Sequence, residues 1–189
     1  LIIFICCFSL HIKAQEASLA FLYFRNGEYE KAVSIYKVLH EKNPLNTSYF
    51  NQLIDSYQQL ENFEEVKNLI NKQLVKIPNQ YSLLVDLGYN YQLEHQQDSA
   101  TFFYEKAINA IAKSKNQGYL IGRTFQKNHL LDYALLAFKK AMEINPSANY
   151  NIQIAAIYGE KADIENMFKT YLNLIEANIN YLPTAKTYI

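Results

Sequence analysis

Tryptophan is absent from the sequence, and glycine and proline together supply nine of 189 residues, 5 and 4. Average usage would give about twenty-two. So few chain-breakers exclude collagen, low-complexity linkers and turn-rich all-β folds, which depend on them. Neither sign of charge is in excess: Lys and Arg number 18, Asp and Glu also 18. So balanced a chain carries no broad electrostatic footprint for nucleic acid or an anionic membrane. Charged residues make up 19% against 50% hydrophobic, which excludes a disordered, charge-rich tail. Cysteine is confined to Cys6 and Cys7.

The two cysteines sit in an apolar opening segment, LIIFICCFSL over residues 1–10, followed by HIKAQ. An apolar run of about ten residues and a short polar stretch ending in a small residue is the layout of a secretory signal peptide. We expect residues 1–14 to be such a leader, truncated at its N-terminal end because no basic segment precedes the apolar run. Cleavage near Ala14 leaves Gln15 first and places the mature chain in the periplasm or outside the cell. That mature chain has no disulfide, no thiol nucleophile and no cysteine metal site. The apolar run is about half the length of a membrane span. Ile5 before Cys6 is not the small residue a lipid-anchored cysteine needs.

What is abundant after the leader is repetition. Steps of 34 residues connect Ala32, Val66, Ala100 and Ala134; Tyr23, Tyr57, Tyr91 and Phe125; Leu19, Leu53, Leu87 and Ile121; and Ala20, Ile54, Gly88 and Gly122. One step of 33 then reaches a fifth unit with Ile154, Ala155, Tyr158, Met167, Tyr171 and Leu174. Within a unit, Leu19, Ala20 and Tyr23 make one apolar helical face, and Ala32, Tyr36 and Leu39 a second. Asn26-Gly27-Glu28 between them is a tight-turn signal, and Pro44 stops the second helix. Each unit therefore reads as a helix–turn–helix hairpin whose faces are satisfied only by stacking.

These columns resemble the tetratricopeptide repeat (TPR) family. Leu87-Gly88, Tyr91, Ala100, Tyr104 and Ala107 follow its pattern most fully, and Ala134, Phe138, Ala141 and Pro146 follow its second half. The family's Trp position holds Glu16, Phe50, Leu84, Gly118 and Ile152 or its neighbour Asn151 instead. The resemblance implies an all-α, right-handed superhelical solenoid of about five hairpins: residues 15–46, 47–80, 81–114, 115–147 and 148–180, with a further helix starting in 181–189. The leader with this repeat order also looks like the N-terminal region of larger secreted TPR proteins of Gram-negative bacteria. Small residues such as Gly88, Ala100, Gly122 and Ala134 read as packing positions.

A search for chemistry finds little. His95 and His129 share one repeat phase, so a whole repeat separates them, and no His-x3-His or H-E-x-x-H spacing occurs. Glu61, Glu64 and Glu65 suit the start of a helix. Gly118 and Gly122 read as close helix packing, and no phosphate-cradling glycine loop occurs. We therefore expect no enzyme, no cofactor and no metal.

In the TPR family the first helices line a concave binding surface. The positions this implies are Tyr89, Gln92, Tyr119, Arg123, Gln126 and Lys127, a set of aromatics, amides and cations suited to a peptide segment of a protein partner. Ala17 and Phe21 replace the lysine and asparagine of chaperone-binding TPR domains. The expected function is a non-catalytic interaction scaffold, the alternative being the recruiting or regulatory arm of a larger enzyme. No nucleic acid and no membrane span in the mature chain are expected, and an uncapped C-terminal end would favour self-association.

Overall fold

The computed structural model describes residues 15–113 and 116–188; the expected leader, its cleavage site and Cys6 and Cys7 lie outside the described residues. Every regular element among the described residues is helical: α1 (15–25), α2 (Tyr29–Lys42), α3 (Thr47–Gln59), α4 (Phe63–Lys76), α5 (Ser82–Leu93), α6 (Gln97–Ala110), α7 (Gln117–Lys127), α8 (Leu131–Ile144), α9 (Asn151–Glu160), α10 (Ile164–Ala177) and α11 (Leu182–Tyr188). None of them is long and apolar enough to cross a membrane. The chain divides into two compact units, one ending at Val75 and the other beginning at Lys76.

The helices follow one another as hairpins because one backbone turn recurs. After α1, α3, α5, α7 and α9 comes a left-handed residue: Gly27 (φ 78°), Glu61 (57°), His95 (61°), His129 (55°) and Ala162 (55°). Its N–H donates to the carbonyl three residues back, as Gly27 does to Phe24 at 3.1 Å and His95 to Gln92 at 3.0 Å. The next N–H donates to the carbonyl five back, which is always the repeated aromatic: Tyr23, Tyr57, Tyr91, Phe125 and Tyr158, at 2.8–2.9 Å. This pair of bonds is the Schellman termination, and it satisfies carbonyls that the helix end leaves open.

Only one of the five turns uses glycine, so the other four carry the strain of an L-residue in the left-handed region. Ala162 has no side-chain hydrogen bond to offset it, and it is exposed. The left-handed conformation costs a non-glycine residue about 1–2 kcal/mol. Glycine's extra unfolded-state freedom returns about 0.5–1 kcal/mol of that. Ala162→Gly is therefore expected to stabilise the protein by about 0.5–1 kcal/mol, read as a rise in the urea midpoint at unchanged slope.

In the first unit α2 packs on α3. Ala20 and Ala32, both at 0% exposure, meet Tyr36, Leu39 and Leu53, with Tyr23, Tyr49 and Tyr57 at the edge of the cluster. The chain enters α3 through Asn46, whose Oδ1 accepts from the N–H groups of Ser48 (3.0 Å) and Tyr49 (3.3 Å), a side-chain N-cap.

In the second unit α5 pairs with α6, α7 with α8 and α9 with α10, while α5 also touches α7 and α8 touches α9. Here the glycines mark where an aromatic of the second helix lies on the first. A Cβ on Gly88 would stand 2.6 Å from the Tyr104 ring, and one on Gly122 2.7–2.9 Å from the Phe138 ring. Tyr104 reaches on into the next hairpin, with its ring 5.5 Å from Phe125 and 5.0 Å from Tyr133 between centroids. α10 opens on Asp163, whose carboxylate accepts from the Asn166 N–H at 3.2 Å and its side-chain amide at 2.8 Å. These bonds hold the Asp163 carboxyl below its ordinary value. α11 lays Ala185 into the cluster of Ala155, Met167, Tyr171 and Leu174 and so covers part of the fifth hairpin.

Candidate functional site

The six residues singled out in the sequence all lie on α5 and α7, first helices of successive hairpins in the second unit. Their surroundings divide them.

On α7, Tyr119, Arg123 and Lys127 are spaced by four and are all exposed. A spacing of four keeps them on one helical stripe. Tyr119 is 41% exposed, yet its ring is anchored at 6.4 Å from Phe138 and 5.9 Å from Tyr150. Rigid aromatic surface with one face free is the usual form of a contact anchor. Arg123 donates from Nη1 to Gln126 Oε1 at 3.0 Å. Gln126 in turn donates from Nε2 to Glu160 Oε1, at the end of α9. Arg123, Gln126 and Glu160 thus form one chain of hydrogen bonds across two hairpins. Among the described residues, Arg123 makes no direct ion pair with a carboxylate; it is held by Gln126, with the Glu160 carboxylate beyond that amide.

On α5, Gln92 is half-buried and its Oε1 accepts from the Tyr104 hydroxyl at 3.0 Å. That amide oxygen serves the hairpin rather than the surface. Tyr89 is half-buried beside it. Burial first, then the neighbouring Tyr89, Tyr133 and Asp86, push the Tyr104 phenol well above its ordinary value. Both glutamines of the expected site thus have an intramolecular bond already made.

Sequence reasoning missed three polar neighbours. Glu160 stands 33 residues after Lys127 and so shares its column at the step that opens the fifth unit; extending the column would have found it. Asp86 is only 7% exposed and accepts at Oδ1 from the Asn128 amide at 3.3 Å, tying α5 to the end of α7. Asn90, at 0% exposure, donates to Glu94 Oε1 at 3.1 Å. It repeats the buried Ser56 34 residues earlier, a polar column that apolar periodicity does not register.

Elsewhere, a cavity of about 370 Å³ opens at the tip of the third hairpin, lined by His95, Gln96, Gln97, Asp98 and Ser99. Its lining has no aliphatic, Phe, Tyr or Trp side chain to hold a ligand body. Among the described residues, no cluster of three or more His, Cys, Asp or Glu is placed to hold a metal ion.

No family model matches the chain, and no curated protein does. Solved structures to which it is similar include TTC0263, a thermophilic TPR protein of Thermus thermophilus, with a TM-score of 0.47 and 13% identity over 93% of this chain and 96% of that one. Another is MamA from residue 41 to its end, of Desulfovibrio magneticus RS-1, with a TM-score of 0.45 and 17% identity over 87% and 93% of the two chains. A third is YrrB, a TPR protein with an unusual peptide-binding site, with a TM-score of 0.40 and 19% identity over 88% and 87%. The chain resembles TPR proteins.

Proposed function

We propose that this protein is a non-catalytic scaffold that takes an extended, acidic peptide segment of a protein partner on the first helices of its second unit. The observation that carries the reading is the exposed Arg123, held by the Gln126 amide with no direct carboxylate partner and flanked one turn away on either side by Tyr119 and Lys127. A fixed cation forms a charge-assisted bond with a carboxylate at little ordering cost. Tyr119 supplies flat apolar surface beside it, and Lys127 continues the exposed stripe one turn further. Tyr89 borders the stripe on α5, where Gln92 and Gln126 act chiefly as supports. The same reading places the scaffold in the periplasm or outside the cell, after removal of residues 1–14. N-terminal sequencing of protein exported by a Gram-negative host tests that part; a mature N-terminus upstream of Cys6 overturns it.

The binding surface is tested by selection from a displayed random-peptide library. Wild-type protein is expected to enrich segments carrying Asp or Glu near apolar residues. A variant with Tyr89→Ala, Tyr119→Ala and Arg123→Ala, first shown to melt at the wild-type temperature, is expected to lose that enrichment. Equal enrichment by the variant would place binding elsewhere on the molecule.

A further inference from the structure

Three exposed side chains of the second unit follow one another across two hairpins: Tyr119 and Arg123 on α7, then Glu160 at the end of α9. Tyr119 and Arg123 are four residues apart, about 6 Å along the helix axis. Gln126 lies about 4.5 Å further along α7 and carries the line across to α9. Its amide links the two charges. The carbonyl oxygen accepts from Arg123 Nη1 at 3.0 Å, and the amide nitrogen donates to Glu160 Oε1. Two hydrogen bonds of ordinary length and the width of an amide put the guanidinium and the carboxylate about 6–8 Å apart.

At that distance, in contact with water, their mutual attraction is largely screened by solvent. The bridge also leaves most of each group unused. A guanidinium has several N–H donors and a carboxylate several acceptor sites; the amide takes one of each. Among the described residues, neither Arg123 nor Glu160 makes a direct ion pair, and Lys161, next to Glu160 in sequence, pairs with Asp132 of α8 instead. An amide bonded at both ends thus holds a cation and an anion apart, in order and open to solvent.

Such a pair favours a segment of mixed charge over a uniformly acidic one. An acidic side chain suits Arg123, but a second one beside Glu160 meets a like charge, whereas a basic one meets its complement. In an extended segment, residues two apart share a face and are separated by about 6.6–6.8 Å. That step matches both intervals, Tyr119 to Arg123 and Arg123 to Glu160. Resting on the peptide-binding reading above, we propose that the bound segment carries an apolar, an acidic and a basic residue at alternate positions, facing Tyr119, Arg123 and Glu160 in that order. Glu160 is the residue that determines specificity for the basic side chain. Gln126 is a positioning residue that sets the interval between the charges.

The test is a displayed library of segments of the form apolar-x-Z-x-Z, built in both chain directions, with each Z drawn from Glu, Gln and Lys. Selection on the full wild-type chain is expected to enrich Glu at the inner Z with Lys at the outer one, about tenfold or more over the swapped order. Each exposed ion pair contributes roughly a 1.5- to fivefold preference, and the swapped order sets like charges together at both positions. The double variant Arg123→Glu with Glu160→Lys is expected to prefer the swapped order by a similar factor. Gln126 can bridge that pair too, by turning its amide over, and an unchanged melting temperature shows the hairpins intact. Glu160→Gln alone is expected to keep the preference for inner Glu and to lose the preference for outer Lys. Wild-type enrichment of inner Glu with indifference at the outer position would overturn the proposal while the acidic-segment reading stands. A double variant that retains the wild-type order, or a Glu160→Gln variant that retains the preference for outer Lys, would overturn it as well. Indifference at the inner position would remove the acidic-segment reading itself, and the proposal with it.

Discussion

Replacing Tyr104 by alanine is expected to lower stability by about 3–5 kcal/mol, the range seen when a large aromatic leaves a tight core. The ring is 1% exposed and joins three helices besides its own. It lies on the Cα of Gly88 in α5, meets Phe125 in α7 and meets Tyr133 in α8. No neighbour is placed to fill the gap, since the facing residue is a glycine. Urea unfolding of the variant measures the loss; a change below about 1 kcal/mol would mean that the ring is not seated there. Tyr104→Phe isolates the hydroxyl and is expected to lose only the roughly 0.5–1.5 kcal/mol of a single hydrogen bond, here to Gln92. The two variants also differ in pH dependence. The folded phenol titrates above its ordinary value of 10.0. A raised folded value gives stability that is complete below pH 10 and declines as pH rises from there towards the folded value. The wild-type midpoint should therefore drop on the alkaline side of pH 10, and Tyr104→Phe should drop less steeply.

The second large effect is expected at Gly118, in the first turn of α7. A Cβ there would lie 2.2 Å from the Cβ of Ala141 and 3.3 Å from its Cα. Alanine has no rotamer with which to yield, so accommodation requires α7 to move away from α8. Gly118→Ala gains at most about 1 kcal/mol in helix propensity. Overpacking costs about 1–3 kcal/mol, and the rigidity of both partners puts this case at the upper end. The clash wins, and a net loss of about 2 kcal/mol is expected. Gly159→Ala is the control. The nearest atom to its added Cβ is Met167 Sδ, at 3.1 Å, on a flexible side chain. That variant should be neutral or slightly stabilised. Equal losses at Gly118 and Gly159 would contradict the account, because only one of the two sites lacks a yielding neighbour.

The hairpins were legible because their cores are apolar and periodic. Leu53, Leu87, Ile121 and Ile154 recur in sequence and are all buried. Spacing pairs Gly88 with Ala100, and the Ala100 carbonyl oxygen does lie 3.1 Å from a Cβ built on Gly88; what spacing does not show is that the Tyr104 ring lies nearer still, at 2.6 Å. In the candidate site, helical spacing located the exposed stripe of Tyr119, Arg123 and Lys127. It did not reveal that Gln92 and Gln126 make internal bonds, because their partners Tyr104 and Glu160 lie 12 and 34 residues away and on other helices.

One further property follows from how the hairpins are closed. All five closures draw on main-chain atoms alone. A hairpin duplicated within a gene therefore carries its closure with it, whatever later happens to its side chains. The left-handed position is the only one in the turn that asks anything of residue type. Glycine, glutamate, histidine twice and alanine have all been admitted there, so even that demand is lenient. Along a lineage of such copies, the tips are ground on which substitutions can collect early, each non-glycine residue at the left-handed position costing about 1–2 kcal/mol. The buried columns, where every change is felt by a neighbouring hairpin, keep the record of common descent longest.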